Sequence, residues 1–318
     1  MNNLEINSSI IEKDMSFFSR AKRDLRVHRS VYIMLLPVLA YYIIFAYVPM
    51  YGAIIAFQDY APIKGIVGSS WVGFRHFIDF FESPYFIRVL RNTLVISISV
   101  MLVSFPASII LALMMNELRQ IWFKKITQTI SYIPHFISMV VVAGMIKSFT
   151  SDTGFINIFL TNLGLISGES MLTVPEYFLP IYVISDVWQN VGWDTIIYLA
   201  ALAAVNNELY EAARIDGAGK LRQLFAITLP SIAPTIVMLL VLRIGSLMSL
   251  GYEKIILLYN ELTYETSDVI SSFVYRKGLL EADYSFSTAV GLFNSVINFI
   301  LVVTANGVSR KLNGSSIW

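Results

Sequence analysis

The sequence predicts an all-α integral membrane protein with six transmembrane helices, and three observations carry that prediction. Of its 318 residues, 56% are hydrophobic and only 14% charged, with a mean hydropathy of +0.65. Soluble globular chains are roughly 45–50% apolar and about 25% charged. Several uncharged runs reach the ~20 residues that an α-helix needs to cross a hydrocarbon core with its backbone satisfied. Basic residues are dense and sparse in alternate connecting segments, the pattern of a multi-pass chain.

The runs are 30–58 (29 residues), 92–116 (25), 126–146 (21), 223–242 (20, continuing past Arg243 to 252) and 284–309 (26). A sixth candidate, fourth in chain order, spans 177–205 and is interrupted by Asp186 and Asp194. The first run is too long for the apolar region of a signal peptide, and no A-x-A-like site follows it. Pro37, Pro49, Pro106, Pro134 and Pro234 lie in or beside these runs, which bundled membrane helices tolerate.

Segments 1–30, 117–125, 206–230 and 310–318 carry 6, 3, 3 and 2 Lys or Arg, 14 in 73 residues. Segments 59–91, 147–176 and 251–285 carry 4, 1 and 3, only 8 in 98. The first set is therefore expected in the cytoplasm, with both termini inside. The organisation read from this is a basic cytoplasmic segment (1–30), a transmembrane domain (31–310) and a short tail (311–318). The cluster Arg20, Lys22, Arg23, Arg26 and Arg29 reads as topogenic and lipid-touching; a phosphate site is the alternative.

Net charge is +1 and there is no cysteine, so no nucleic-acid partner is implied and disulfides, thiolate metal sites and thiol nucleophiles are excluded. His28, His76 and His135 are scattered, with no H-E-x-x-H pair, and no G-x-S-x-G elbow occurs. Gly217-Ala218-Gly219-Lys220 fails as a phosphate loop, because Leu221 follows the lysine and Arg214 replaces the first glycine. Any ATP hydrolysis must come from another polypeptide.

The connection at 206–234 is too apolar for a passive loop. Leu209, Ala212 and Ala213, then Leu221, Leu224 and Phe225, repeat at i, i+3, i+4, predicting two short amphipathic helices. Asp216-Gly217 separates them, and Leu229-Pro230 is expected to end the second. Such stripes can lie on lipid or on the protein's own spans; the small Ala212-Ala213 pair beside Glu211 suits insertion into a protein groove instead.

The run Glu211-Ala212-Ala213, three residues, Gly217, nine residues, Ile227, one residue and Leu229-Pro230 resembles the EAA motif of ABC-importer permeases. Asp216-Gly217-Ala218 and Pro234 match its common extension. The stretches 71–81, 154–165, 186–205, 251–260 and 309–318 are similar to carbohydrate-type permeases, the last two to the oligosaccharide and polysaccharide branch. The resemblance covers about 30–318. It implies a type I importer bundle in a bacterial cell membrane, a transport subunit rather than an enzyme. It also implies a second, homologous permease, two cytosolic ATPase subunits holding ATP and magnesium, an extracellular solute-binding protein and a carbohydrate cargo. This chain would bind no cofactor.

By the same resemblance 206–230 is a coupling segment, with Glu211, Ala212, Ala213, Asp216, Gly217, Leu229 and Pro230 its key positions. Asp186, Asp194 and Arg243 are intramembrane charges, either lining the path or joined as an internal ion pair. Trp188, Asn190, Tyr252, Glu253, Asn294 and Asn298 have the aromatic faces and hydrogen-bonding groups that sugars need. Asn294 and Asn298 share a helix face at i, i+4, where interhelical hydrogen bonds are the alternative. A non-sugar cargo, or a secondary carrier coupling ions through Asp186 and Asp194, are the rival readings.

Overall fold

The structure, a computed structural model, describes residues 24–313. Arg20, Lys22, Arg23 and the end of the chain from 314 lie outside the described residues. α1 (Arg29–Tyr42) continues through a π-helical turn, Ile43–Tyr47, and past Pro49 into a 3-10 turn, Tyr51–Phe57. A two-residue antiparallel pair follows, β1 (Gln58–Asp59) on β2 (Ser70–Trp71), with Gln58 opposite Trp71. α2 (Arg75–Glu82) leads into α3 (Phe86–Glu117), 32 residues that run unbroken through Pro106.

The third run departs from expectation. Pro134 removes a backbone donor and its ring crowds the preceding turn, so 126–146 is not one helix. α4 (Ile121–Tyr132) stops at a 3-10 turn, Ile133–Phe136. α5 (Met139–Thr150) restarts with the Ser138 hydroxyl accepting the Val141 N–H, and α6 (Phe155–Asn162) follows a corner at Gly154. The fourth candidate is a single 29-residue helix, α7 (Pro175–Ala203), continuous through both aspartates.

α8 (Asn207–Ile215) and α9 (Lys220–Gln223) precede a π turn, Leu224–Thr228, and α10 (Leu229–Gly245). The fifth span therefore ends at Gly245 and not at 252. Its exit is a turn pinned by Asn298, whose Oδ1 accepts the Met248 N–H at 2.9 Å. α11 (Tyr252–Leu258), α12 (Ile270–Tyr275) and α13 (Tyr284–Asn313) complete the fold.

Among the described residues, five stretches are long and apolar enough to cross a membrane: Arg29–Phe57, Phe86–Glu117, Met139–Asn162, Lys220–Gly245 and Tyr284–Lys311. α7 is longer than some of these and packs along α3, but its polar side chains lower its hydropathy below theirs. On α3 the buried Thr93, Ser97, Ser104 and Ser108 are small side chains, the kind that lets neighbouring membrane helices approach closely. One apolar cluster joins Ala112, Tyr198, Leu202 and Ile232. Another gathers Ile96, Val142, Phe178, Tyr182, Ile255 and Val269 under residues 246–283.

Residues 246–283 form a cap on one end of the bundle. Within it Ser267, Asp268, Ile270 and Phe273 are fully buried. The opposite end carries residues 204–219.

Candidate coupling segment and intramembrane polar site

At the end opposite the cap, α8 is capped by Asn206, whose Oδ1 accepts the Glu208 N–H at 2.9 Å. It closes at Asp216, and Gly217 reverses the chain with φ +75°. An L side chain there costs about 1–2 kcal/mol. The Ala218 N–H returns to the Ala213 carbonyl at 2.8 Å. Glu211 and Ala212 are exposed and Ala213 is half-buried, while Ile215, Leu221 and Phe225 are 87, 73 and 67% exposed. The segment thus presents a shaped apolar face with one carboxylate at the bundle's end.

Two contacts tie this segment to the spans. The Tyr210 and Thr228 hydroxyls meet at 2.9 Å, and Lys220 forms an ion pair with Glu117 at the end of α3. Pro230 does not end the second helix, as expected from its chemistry; α9, the π turn and α10 form one rod. The wider π turn, with the Leu229 N–H reaching back to Leu224, absorbs the missing proline donor.

Asp186, Asp194 and Arg243 each find a partner of opposite charge. Arg243 Nη2 donates to Asp194 Oδ2 at 2.8 Å. Asp186 instead faces Lys254, whose Nζ is 4.0 Å from its Oδ1. Lys254 is 3% exposed, lies 4.5 Å over the Tyr182 ring and donates to the Tyr182 carbonyl at 3.3 Å. Burial pushes its ammonium down to about 8, with Asp186 pulling the other way.

Asp186 also accepts from Asn190 Nδ2 at 3.0 Å, and Asn190 Oδ1 meets His135 Nδ1 at 3.1 Å. The His135 ring stacks on Trp193, 4.6 Å between centroids and 4° between planes. A chain of polar groups therefore runs from the cap through α7 to the break between α4 and α5. Two cavities adjoin it and share Arg243 and Ser246. One of about 370 Å³ is lined by Phe105, Ser108, Trp193 and Asp194; the other, about 170 Å³, by Ser97, Tyr182 and Asp186.

Of the sequence candidates, Asp186, Asn190, Asp194 and Arg243 come together. Trp188 points out of this cluster and is 43% exposed. Tyr252 stacks on Tyr275 at 5.7 Å, with Glu253 exposed beside it. Asn294 Oδ1 is buried without a hydrogen-bond partner among the described residues. Asn298 is spent on the turn after α10, donating also to Ser249 Oγ at 2.7 Å. Sequence reasoning missed His135, Trp193 and Lys254. Pro134 beside a histidine in an apolar run was the available signal, since interrupted membrane helices collect at binding sites.

A charge exchange tests the geometry. Arg243→Ala or Asp194→Ala should each lower the yield of monodisperse protein in detergent, because a lone intramembrane charge remains. Asp194→Arg combined with Arg243→Asp should recover it, and Asp186→Arg with Arg243→Asp should not. Equal recovery by both exchanges would refute the pairing.

Comparison with known proteins agrees with this architecture. Residues 104–314 match the family described as binding-protein-dependent transport system inner membrane component. Protein LplB of Bacillus subtilis (strain 168) is 44% identical over 309 residues, covering 96% of this chain and 95% of that protein. The polygalacturonan/rhamnogalacturonan transport system permease protein YteP of the same organism is 44% identical over 313 residues, 96% and 97% of the two chains. A chain in the crystal structure of a bacterial alginate ABC transporter, in complex with an alginate pentasaccharide-bound periplasmic protein, superposes with a TM-score of 0.84. It is 44% identical and covers 93% of this chain and 99% of its own.

Proposed function

Because the chain belongs to the binding-protein-dependent transport system inner membrane components, the permeases of ABC importers, we propose that it carries an oligosaccharide into a bacterial cell. In this reading it pairs with a second, homologous permease across the bacterial cell membrane. Two ATPase subunits hold ATP and magnesium on the cytoplasmic side, and a solute-binding protein delivers cargo to the cap. The basic segments and residues 206–230 then face the cytoplasm, with both termini. The carbohydrate class is supported by the relatives, whose names give polygalacturonan and rhamnogalacturonan for YteP and alginate for the crystallised transporter.

The observation that carries the reading is the shape of 206–219. A helix ending in a left-handed glycine, with exposed Glu211 and Ala212, is a small rigid plug joined to α10 by one continuous rod. Seated in a cleft of the ATPase, it would turn closure of two ATPases into rocking of the spans. Glu211 would meet a basic group there, and Ala212 and Ala213 would allow close seating. Asp216 and Gly217 would set the angle of the plug, with Leu229 and Pro230 at the root of the rod.

The cargo would cross beside α7. Asp186, Asn190 and His135 offer acceptors and donors to sugar hydroxyls, and Trp193 an apolar ring edge. Trp188, Tyr252, Glu253 and Asn294 border the route where the second permease closes it. The Asp194–Arg243 pair holds α7 to α10.

Gly217→Pro tests the coupling role, since proline cannot adopt φ +75°. Uptake should fall about tenfold or more, equivalent to roughly 1.4 kcal/mol of coupling, with protein yield and binding-protein affinity unchanged. Wild-type uptake in this variant would remove the proposal.

A further inference from the structure

The connection between the first span and α3 is rigid yet strongly apolar on its outside. Its backbone is internally paired: β1 on β2, the Val72 N–H to the Phe57 carbonyl at 2.8 Å, and the Ala61 N–H to Ser69 Oγ at 3.1 Å. Phe57 stacks on Trp71 at 5.6 Å, and Phe80 is fully buried. The segment nevertheless exposes Val67 (94%), Trp71 (66%), Phe74 (67%), Ile78 (53%) and Phe81 (48%).

These residues are ordered by helix geometry. Phe74, Ile78 and Phe81 stand at i, i+4, i+7, and the Ile78 N–H bonds to the Phe74 carbonyl, so they form one stripe along α2. Arg75, Asp79 and Glu82 form a second stripe at the same spacing, Arg75 and Asp79 being 3.9 Å apart. Phe77 and Phe80 face inward, against Phe57 and Phe273. A short helix with an apolar stripe beside a charged one is the pattern of a helix lying in a membrane interface.

The height of the segment agrees with that pattern. The Tyr60 N–H donates to Ser285 Oγ at 2.9 Å, and the Tyr60 and Tyr284 rings meet at 6.2 Å. The segment therefore lies level with the first turn of α13 and with Phe57, the exit of the first span. Both spans leave the hydrocarbon there, and Trp and Tyr favour this zone. We propose that Val67, Trp71 and the Phe74, Ile78, Phe81 stripe of α2 are seated in the headgroup–acyl boundary of the leaflet on the cap side. There they would fix the first span's exit as the bundle moves.

The natural chain has no cysteine, so Val67→Cys, Ile78→Cys and, as a control on the charged stripe, Asp79→Cys can each be spin-labelled in the full-length chain. In phosphatidylcholine–phosphatidylglycerol nanodiscs, the ratio of collisions with oxygen to collisions with a water-soluble nickel chelate reports depth. The ratio should be several-fold higher at 67 and 78 than at 79. Nickel access at either 67 or 78 equal to that at 79 would overturn the proposal. So would labels shielded from both reagents, or shielded only after a cargo-loaded binding protein is added, because the face would then belong to a protein.

Discussion

Asp268→Ala should collapse the cap, whereas Arg91→Ala should stay close to wild type. The Asp268 side chain has no solvent exposure, and two guanidinium groups converge on it. Arg276 donates at 2.7 and 3.3 Å and Arg88 at 3.2 Å, while Ser272 Oγ donates at 2.9 Å. Arg88 lies on α3, so the carboxylate joins the cap to the start of that span, where Asn92 also holds the Asp268 backbone carbonyl at 3.0 Å. Removing it leaves two largely buried cations facing each other. Breaking a buried pair from one side costs about 3–5 kcal/mol.

The Arg91–Glu265 pair is as short, at 2.9 Å, but more than half exposed on both sides. An exposed pair contributes about 0–1 kcal/mol. Thermal unfolding of the purified protein should therefore separate the two variants clearly, and Asp268→Asn, which keeps the shape, should fall between them. Similar midpoints for Asp268→Ala and Arg91→Ala would mean that the network is not closed to water.

The legible part of this protein was what periodicity and composition encode locally. Uncharged runs located the spans because backbone satisfaction in lipid demands length. The positive φ at Gly217 follows from a glycine placed between two amphipathic stripes. The third span was misread because hydropathy does not register Pro134, and the fifth because it does not register that Asn298 catches residue 248 from another helix. Asp194 and not Asp186 receives Arg243, a choice set by the rotation of α7 against α10. Lys254 lies outside every apolar run, and only the fold brings it back under the cap beside Asp186.

Gly192 carries a large expected effect that no pattern in the sequence announces. It lies on α7 where α4 crosses, and a Cβ built there would stand 2.0 Å from the Ser131 carbonyl oxygen and 2.4 Å from its carbon. Both are backbone atoms, so no side-chain rotation relieves the clash. Ordinary C···O contacts begin near 3.3 Å, so α4 must move by about an ångström. Its next residues would move with it, and His135 would leave Asn190 and Trp193, undoing the 3.1 Å hydrogen bond and the stacked pair. Overpacking of this kind costs about 1–3 kcal/mol. Helix propensity alone predicts the opposite sign, since Gly→Ala inside a helix gains about 1 kcal/mol. The comparison with Gly291→Ala separates the two effects, because a Cβ at 291 on α13 meets nothing within 4 Å. Gly291→Ala should raise the unfolding midpoint slightly and keep uptake, whereas Gly192→Ala should lower both. A stabilised, fully active Gly192→Ala protein would show that α4 and α7 are farther apart in the membrane than this packing has them, and the polar site built on their contact would have to be abandoned.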